Sequence, residues 1–291
     1  MTIESAIKRM TIQLGSEVVG IASVEDINKY APPGHRPDDY LVGAKSVIVF
    51  GGHFALKGAW QSPYSRLLPS HMDFNPFDAI RIAKTIAKFI EEKFGYYAIY
   101  EEPPLSGLNP ALSHKLFIEM AGLGTRSLAG GGIILNPEIG LVSTRACITT
   151  MPLKADGPMK VPVCPHPSCV KMWEKQKTTP CLNTCDCFSG ELEGARIKWI
   201  KFDRWKCSTK AMNEGMGSFA GALVDAINEP DPEVRKTLLL GSRFRNLIQA
   251  IAFTHVMAQC TECLRNCPVC VQARTLKPKP INEVALEEMT Q

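Results

Sequence analysis

Cys260, Cys263 and Cys267 are separated by two and three residues, and Pro268 follows the last of them directly. Thiolates at that spacing reach neighbouring atoms of one metal centre. A cysteine followed by proline at the close of such a run is a ligand pattern of iron–sulfur clusters, in which that last cysteine crosses to a second cluster. Centres of this kind carry single electrons, so the chemistry expected is redox.

The sequence has eleven cysteines in 291 residues; none precedes Cys147, and ten lie between Cys164 and Cys270. Thiols gathered on one part of a chain read as metal ligands in a reducing compartment, where disulfides are rare. The candidates are Cys164, Cys169, Cys181, Cys185, Cys187, Cys207, Cys260, Cys263, Cys267 and Cys270, more than two four-iron clusters need. A zinc arrangement stays open, with Cys260, Cys263, Cys267 and Cys270 as a small structural site. Cys147 falls in an apolar run and reads as a buried apolar residue.

The elements that must position these ligands follow from the apolar pattern. Residues 3–14 have helical spacing, while 18–24, 44–51 and 96–100 read as strands. Asn75-Pro76 marks a helix start, and apolar Ile82, Ile86, Phe89 and Ile90 repeat at helical spacing up to Gly95. Asn109-Pro110 repeats the signal before a helix ending near Met120, and strands over 133–135 and 141–150 flank a turn. Alternating strands and helices predict a layered α/β domain over residues 1–155. A cysteine-rich domain over 156–275 follows, with helices over 232–241 and 243–257, and then a tail over 276–291.

Composition bounds the function. Hydrophobic content of 45% and charged content of 21% are ordinary for a globular protein, and a net charge of +4 does not imply a nucleic-acid partner. No apolar run approaches the roughly 20 residues that span a bilayer. The first residues lack the apolar core of a signal peptide, so the expectation is a cytoplasmic protein with no membrane partner. Residues 196–206 interleave basic and aromatic side chains. The reading preferred here is that Trp205 shields a cluster at Cys207 from water, with nucleic-acid contact as the less favoured alternative.

With these motifs in place, the chain resembles the superfamily of epoxyqueuosine reductases and reductive dehalogenases. The resemblance rests on the Cys260–Pro268 run together with Ala121-Gly122-Leu123-Gly124 and the following Gly130-Gly131-Gly132, ahead of an apolar strand and Asn136-Pro137-Glu138. It implies a nitroreductase-like α/β domain that binds a corrinoid (cobalamin), followed by a ferredoxin-like module with two 4Fe–4S clusters. By family pattern, Cys164, Cys169, Cys181 and Cys267 would hold one cluster and Cys185, Cys207, Cys260 and Cys263 the other. That leaves Cys187 and Cys270 over. The first cysteine motif is stretched relative to the family's, and Asp186 stands where the family has proline.

The same resemblance places the corrinoid near Arg126, Ser127, Gly130, Gly131 and Gly132, where residues without a Cβ let backbone N–H groups approach a ligand. By that resemblance Glu101 and Glu102, ahead of Pro103, take the position of the family's proton donor; paired carboxylates can push one pKa upward, which suits such a role. His53, His114 and Lys115 are further candidates. The leading function is a cytoplasmic reductase acting on a small molecule or modified nucleoside, supplied by an electron donor such as ferredoxin or flavodoxin. An electron carrier that reduces another protein's corrinoid and a zinc-stabilised interaction protein are the alternatives, and a homodimer is left open.

Overall fold

Residues 47–50 are apolar without interruption, and the reason is that helices cover both faces of the strand they form. The structure is a computed structural model that describes residues 2–63, 68, 71–100, 112–211, 216–241, 244 and 260–278. Helix α1 (Ile3–Gln13) leads into β1 (Val18–Ser23), two short helices α2 (Val24–Asn28) and α3 (Pro37–Tyr40), and then β2 (Ser46–His53). Successive side chains of a strand point to opposite faces. Ile48 and Phe50 therefore pack with Ile7 of α1 and with Ile82, Ile86 and Ile90 of α4 (Pro76–Phe94). Val47 and Val49 pack on the other side with Leu116 and Phe117 of α5 (His114–Met120).

After β3 (Ala98–Tyr100), β4 (Thr125–Arg126) and β5 (Ile134–Asn136), the long β6 (Gly140–Thr149) completes the sheet. Its order is β1-β2-β6-β5-β4, with β3 also joined to β6, and every pairing among the described residues is antiparallel. The chain is thus layered α/β, as expected. Cys147 is fully buried on β6 against α4, where burial pushes its thiol up to about 12, so it is an apolar core residue.

Local signals explain the best-defined elements. Asn75 accepts from the N–H groups of Phe77 and Asp78 at 2.9 and 3.1 Å, and Gly95 ends α4 with φ +71°. Helix α5 begins later than Asn109-Pro110 suggests, at His114; residues 101–111 lie outside the described residues.

The second part contains α6 (Pro167–Gln176), α7 (Pro180–Thr184), the hairpin of β7 (Phe188–Glu193) and β8 (Arg196–Phe202), α8 (Arg204–Ala211), α9 (Met216–Asn228), α10 (Pro232–Leu240), α11 (Glu262–Arg265) and α12 (Pro268–Arg274). The helix expected over 243–257 and most of the tail lie outside the described residues. Strand β8 does not alternate strictly. Trp199 pairs with Glu191 and Ile197 with Leu192, so Lys198 is an extra residue in a bulge. Ile197 and Ile200 therefore pack on the same core although they are three residues apart. That core also takes Phe54, Trp60, Leu128 and Leu135 from the first part and most of the buried cysteines. No helix among the described residues is long and apolar enough to cross a membrane.

Candidate functional site

Four of the expected ligands line one apolar cavity. Cys164 precedes α6, Cys169 is in its first turn, Cys181 is the second residue of α7, and Cys267 caps the N-terminus of α12. Around them stand Leu128, Pro165, Pro180, Pro268 and Val269. Cys267 is a charged neighbour of each of the other three thiols. Burial pushes Cys164 up to about 12 and Cys169 up to about 11. Cys267 moves down to about 7, because the Cys270 thiol and the N–H groups of Cys270 and Val269 at the start of α12 donate to it. Cys270 is raised in return, first by that same hydrogen bond and then by burial.

Cys185, at the end of α7, meets Cys207 on α8, Cys260, and Cys263 on α11. Cys207 and Cys263 each have Cys185 and Cys260 as charged neighbours, Cys263 also feels Cys181 of the first set, and burial pushes Cys263 up to about 12. Cys187 sits beside this second set, hydrogen bonded to Cys185 and Cys207. The four cysteines of the zinc alternative are therefore divided: Cys267 and Cys270 lie with the first set, Cys260 and Cys263 with the second.

Asp186, in the expected proline's place, is a tether. Lys206 and Lys210 of α8 both close on its carboxylate, Lys206 at 2.6 Å, and hold it well below the usual carboxylate range. The helix carrying Cys207 is thereby tied to the loop carrying Cys185 and Cys187. Exposed ion pairs contribute about 1 kcal/mol or less to stability, so Asp186→Ala is expected to leave the unfolding midpoint nearly unchanged. Its expected effect is on metal loading of the second set, with iron per chain falling towards half. Iron analysis beside thermal unfolding checks this, and unchanged iron would remove the tether's role.

The glycine turn expected to cradle a corrinoid lies between the two sets. The N–H of Leu128 donates to Cys164, and that of Gly130 to Cys263. A Cβ on Gly130 would stand 2.2 Å from Ile133 Cδ1, and one on Gly131 would stand 2.2 Å from the Phe202 ring. Ser127 is fully buried, and its hydroxyl donates to the Ile133 carbonyl at 2.7 Å. Side chains of this molecule fill the space where a Cβ on Gly130 or Gly131 would stand, and the Ser127 hydroxyl is bonded within its own turn. Gly132 alone of the three glycines faces open space.

Arg126 points elsewhere. Its Nε donates to Glu119 at 2.9 Å on the wall of an open cleft of about 320 Å³, shared with Tyr30, Leu116, Met120, Thr125 and Met159. That volume lies in the range of small-molecule sites. Lys115 stands beside Arg126 and Cys207; crowding by protein atoms, then the Arg126 charge, lowers its pKa. His114 Nε2 is 2.7 Å from the Thr144 hydroxyl. His53 pairs through Nδ1 with Glu17 at 2.6 Å, with Asp73 close by. Neither acid is signalled by sequence, because separate loops bring them to the end of β2. Glu101 and Glu102 lie outside the described residues. Trp205 does not close over Cys207: it is 63% exposed, with the Arg204 guanidinium 5.4 Å from its ring centre.

No family model matches the chain, and no curated protein matches it. Solved structures do. The epoxyqueuosine reductase of Streptococcus thermophilus superposes with a TM-score of 0.54 at 15% identity over 96% of this chain and 68% of that one. An epoxyqueuosine reductase bound to an epoxyqueuosine-modified tRNA stem loop gives 0.56 at 16% identity over 94% of this chain and 67% of that one. A catabolic reductive dehalogenase gives 0.50 at 20% identity, covering 93% of this chain but only 38% of the dehalogenase. At these identities the likeness is one of fold.

Proposed function

We propose that this chain, which has the fold shared by epoxyqueuosine reductases and reductive dehalogenases, is an oxidoreductase that holds two 4Fe–4S clusters and reduces a small molecule or modified nucleoside bound in its α/β part. The observation that carries the reading is the gathering of cysteines from distant segments into two neighbouring groups, each with four candidate ligands and one further cysteine, one of them around an apolar cavity. Four thiolates per centre are the donor set such clusters take. Cys164, Cys169, Cys181 and Cys267 would hold one, and Cys185, Cys207, Cys260 and Cys263 the other. When bound, the clusters supply storage for single electrons. Cys187 and Cys270 each hydrogen bond to a ligand, a position from which a neighbour tunes a metal centre. The N–H groups of Leu128 and Gly130 do the same for Cys164 and Cys263. Glu101 and Glu102 are the proposed source of the proton.

Ile133 and Phe202 pack where a Cβ of Gly130 or Gly131 would stand, and no step is drawn through a corrinoid. That filled turn favours a second reading, an electron carrier that reduces another protein's corrinoid. Protein purified without oxygen from cobalamin-supplied cells should be brown, absorb near about 400 nm and contain about eight irons per chain. A colourless protein holding only zinc overturns both readings. Titration with added cobalamin separates them, since a carrier leaves the cobalamin spectrum unchanged.

A further inference from the structure

We propose that the exposed face made by β8 and α8 docks an acidic one-electron carrier protein, which delivers its electron to the centre held by Cys185, Cys207, Cys260 and Cys263. The inference rests on the two-cluster reading above. Depth selects this centre. Cys185, Cys207 and Cys260 are only half-buried, whereas of the other four ligands only Cys164 is. Electron transfer slows steeply with distance, so the shallower centre is the one a partner protein reaches.

Charge selects the partner. Residues 196–210 carry six Arg or Lys side chains, all exposed, against a single acid, Asp203. The face stays positive after the nearby Asp186, Glu191 and Glu193 are counted. Complementary charge raises association rates by about ten- to a thousandfold, which suits a transient electron-transfer encounter. Two large aromatic side chains project from the same face, Trp205 at 63% and Trp199 at 44% exposure. Exposed tryptophan among basic residues is the composition of an interface anchor with a polar rim.

The same residue types serve single-stranded nucleic acid, but two features favour a protein. The Trp199 indole N–H is held by the Glu191 carboxylate at 2.8 Å, so that ring is not free to turn and stack on a base, and the acids interspersed among the bases make a mixed-charge patch rather than the continuous basic groove that tracks a nucleic-acid backbone. In the encounter the carrier is oxidised by one electron and the cluster reduced by one. No bond forms or breaks.

The test uses anaerobically purified, iron-loaded protein and an acidic bacterial ferredoxin. Lys201→Glu/Arg204→Glu and, separately, Trp205→Ala change the face without touching a ligand or the Asp186 tether. Two quantities are measured: Kd for oxidised ferredoxin, and the rate of bleaching near about 400 nm with reduced ferredoxin or with dithionite. The double variant should raise Kd and slow reduction by ferredoxin about tenfold or more, with the dithionite rate and iron content unchanged. Wild-type affinity should fall as salt rises from about 0.05 to 0.3 M. Equal Kd and rates in variant and wild type overturn the proposal. So does a variant that keeps ferredoxin affinity but loses affinity for a tRNA anticodon stem loop, which would make this a nucleic-acid face. Protein that never holds iron fails at the first iron assay, and there it is the two-cluster reading that falls.

Discussion

Cys267→Ala and Cys263→Ala, four residues apart in one motif, are expected to empty different centres. Each should lower iron from about eight to about four per chain, and the double variant should retain almost none. The spectrum left in Cys267→Ala belongs to the intact set of Cys185, Cys207, Cys260 and Cys263, and that left in Cys263→Ala to the set of Cys164, Cys169, Cys181 and Cys267. The physical reason is the turn between them. Across α11 and the residue that follows it the two thiols part: Cys263 meets the Gly130 N–H while Cys267 lines the cavity with Cys164. Arginines pin that turn: Arg265 donates to the carbonyls of Trp60 and Ser62 at 3.4 and 3.0 Å, and Arg274 lies 4.8 Å from the Trp60 ring centre. A single site made from Cys260, Cys263, Cys267 and Cys270 predicts instead that both variants lose the same metal. Iron and zinc analysis with electron paramagnetic resonance of the reduced proteins decides it, and identical spectra for the two variants would reject the division.

Periodicity made the first part of the fold legible and said less about the second. Strand β2 and helix α4 are long, regular and bounded by Gly or by Asn-Pro, so their types and approximate ends follow from local rules. The hairpin β7–β8 was obscured by the bulge at Lys198, which breaks the period of two and puts Ile197 and Ile200 on one side. The division of the cysteines came from the family resemblance; spacing alone left the zinc grouping open. The glycine turn was only partly legible, for a different reason. Three consecutive glycines signal that something approaches the backbone closely, but not what. Here the approaching groups are Ile133 and Phe202, the second from a strand about seventy residues away whose position no local pattern contains. Asp186 looked like a defect in a motif, and only the placement of α8 reveals the two lysines that make it a tether.

Gly131→Ala is expected to be the most damaging single-methyl change in this turn, and comparison with Gly132→Ala shows why. Both positions have positive φ, +62° and +98°, so any side chain there costs about 1–2 kcal/mol of backbone strain. At Gly132 nothing lies within 4 Å of the new Cβ, so strain is the whole effect. At Gly131 the new Cβ would stand 2.2, 2.3 and 2.5 Å from three carbons of Phe202, a contact that cannot persist. Overpacking of this kind adds about 1–3 kcal/mol. Removing the ring tests the cause. Gly131→Ala/Phe202→Ala should be more stable than the two single losses added together, with a coupling of about 1 kcal/mol or more. Thermal or denaturant unfolding of the four proteins gives that number, and additivity within about 0.5 kcal/mol would mean that the ring is not what excludes the methyl. The turn also carries the Leu128 and Gly130 N–H groups that reach Cys164 and Cys263. Displacing it should therefore alter the spectra of both centres in Gly131→Ala and of neither in Gly132→Ala, because only the first forces the turn away from β8.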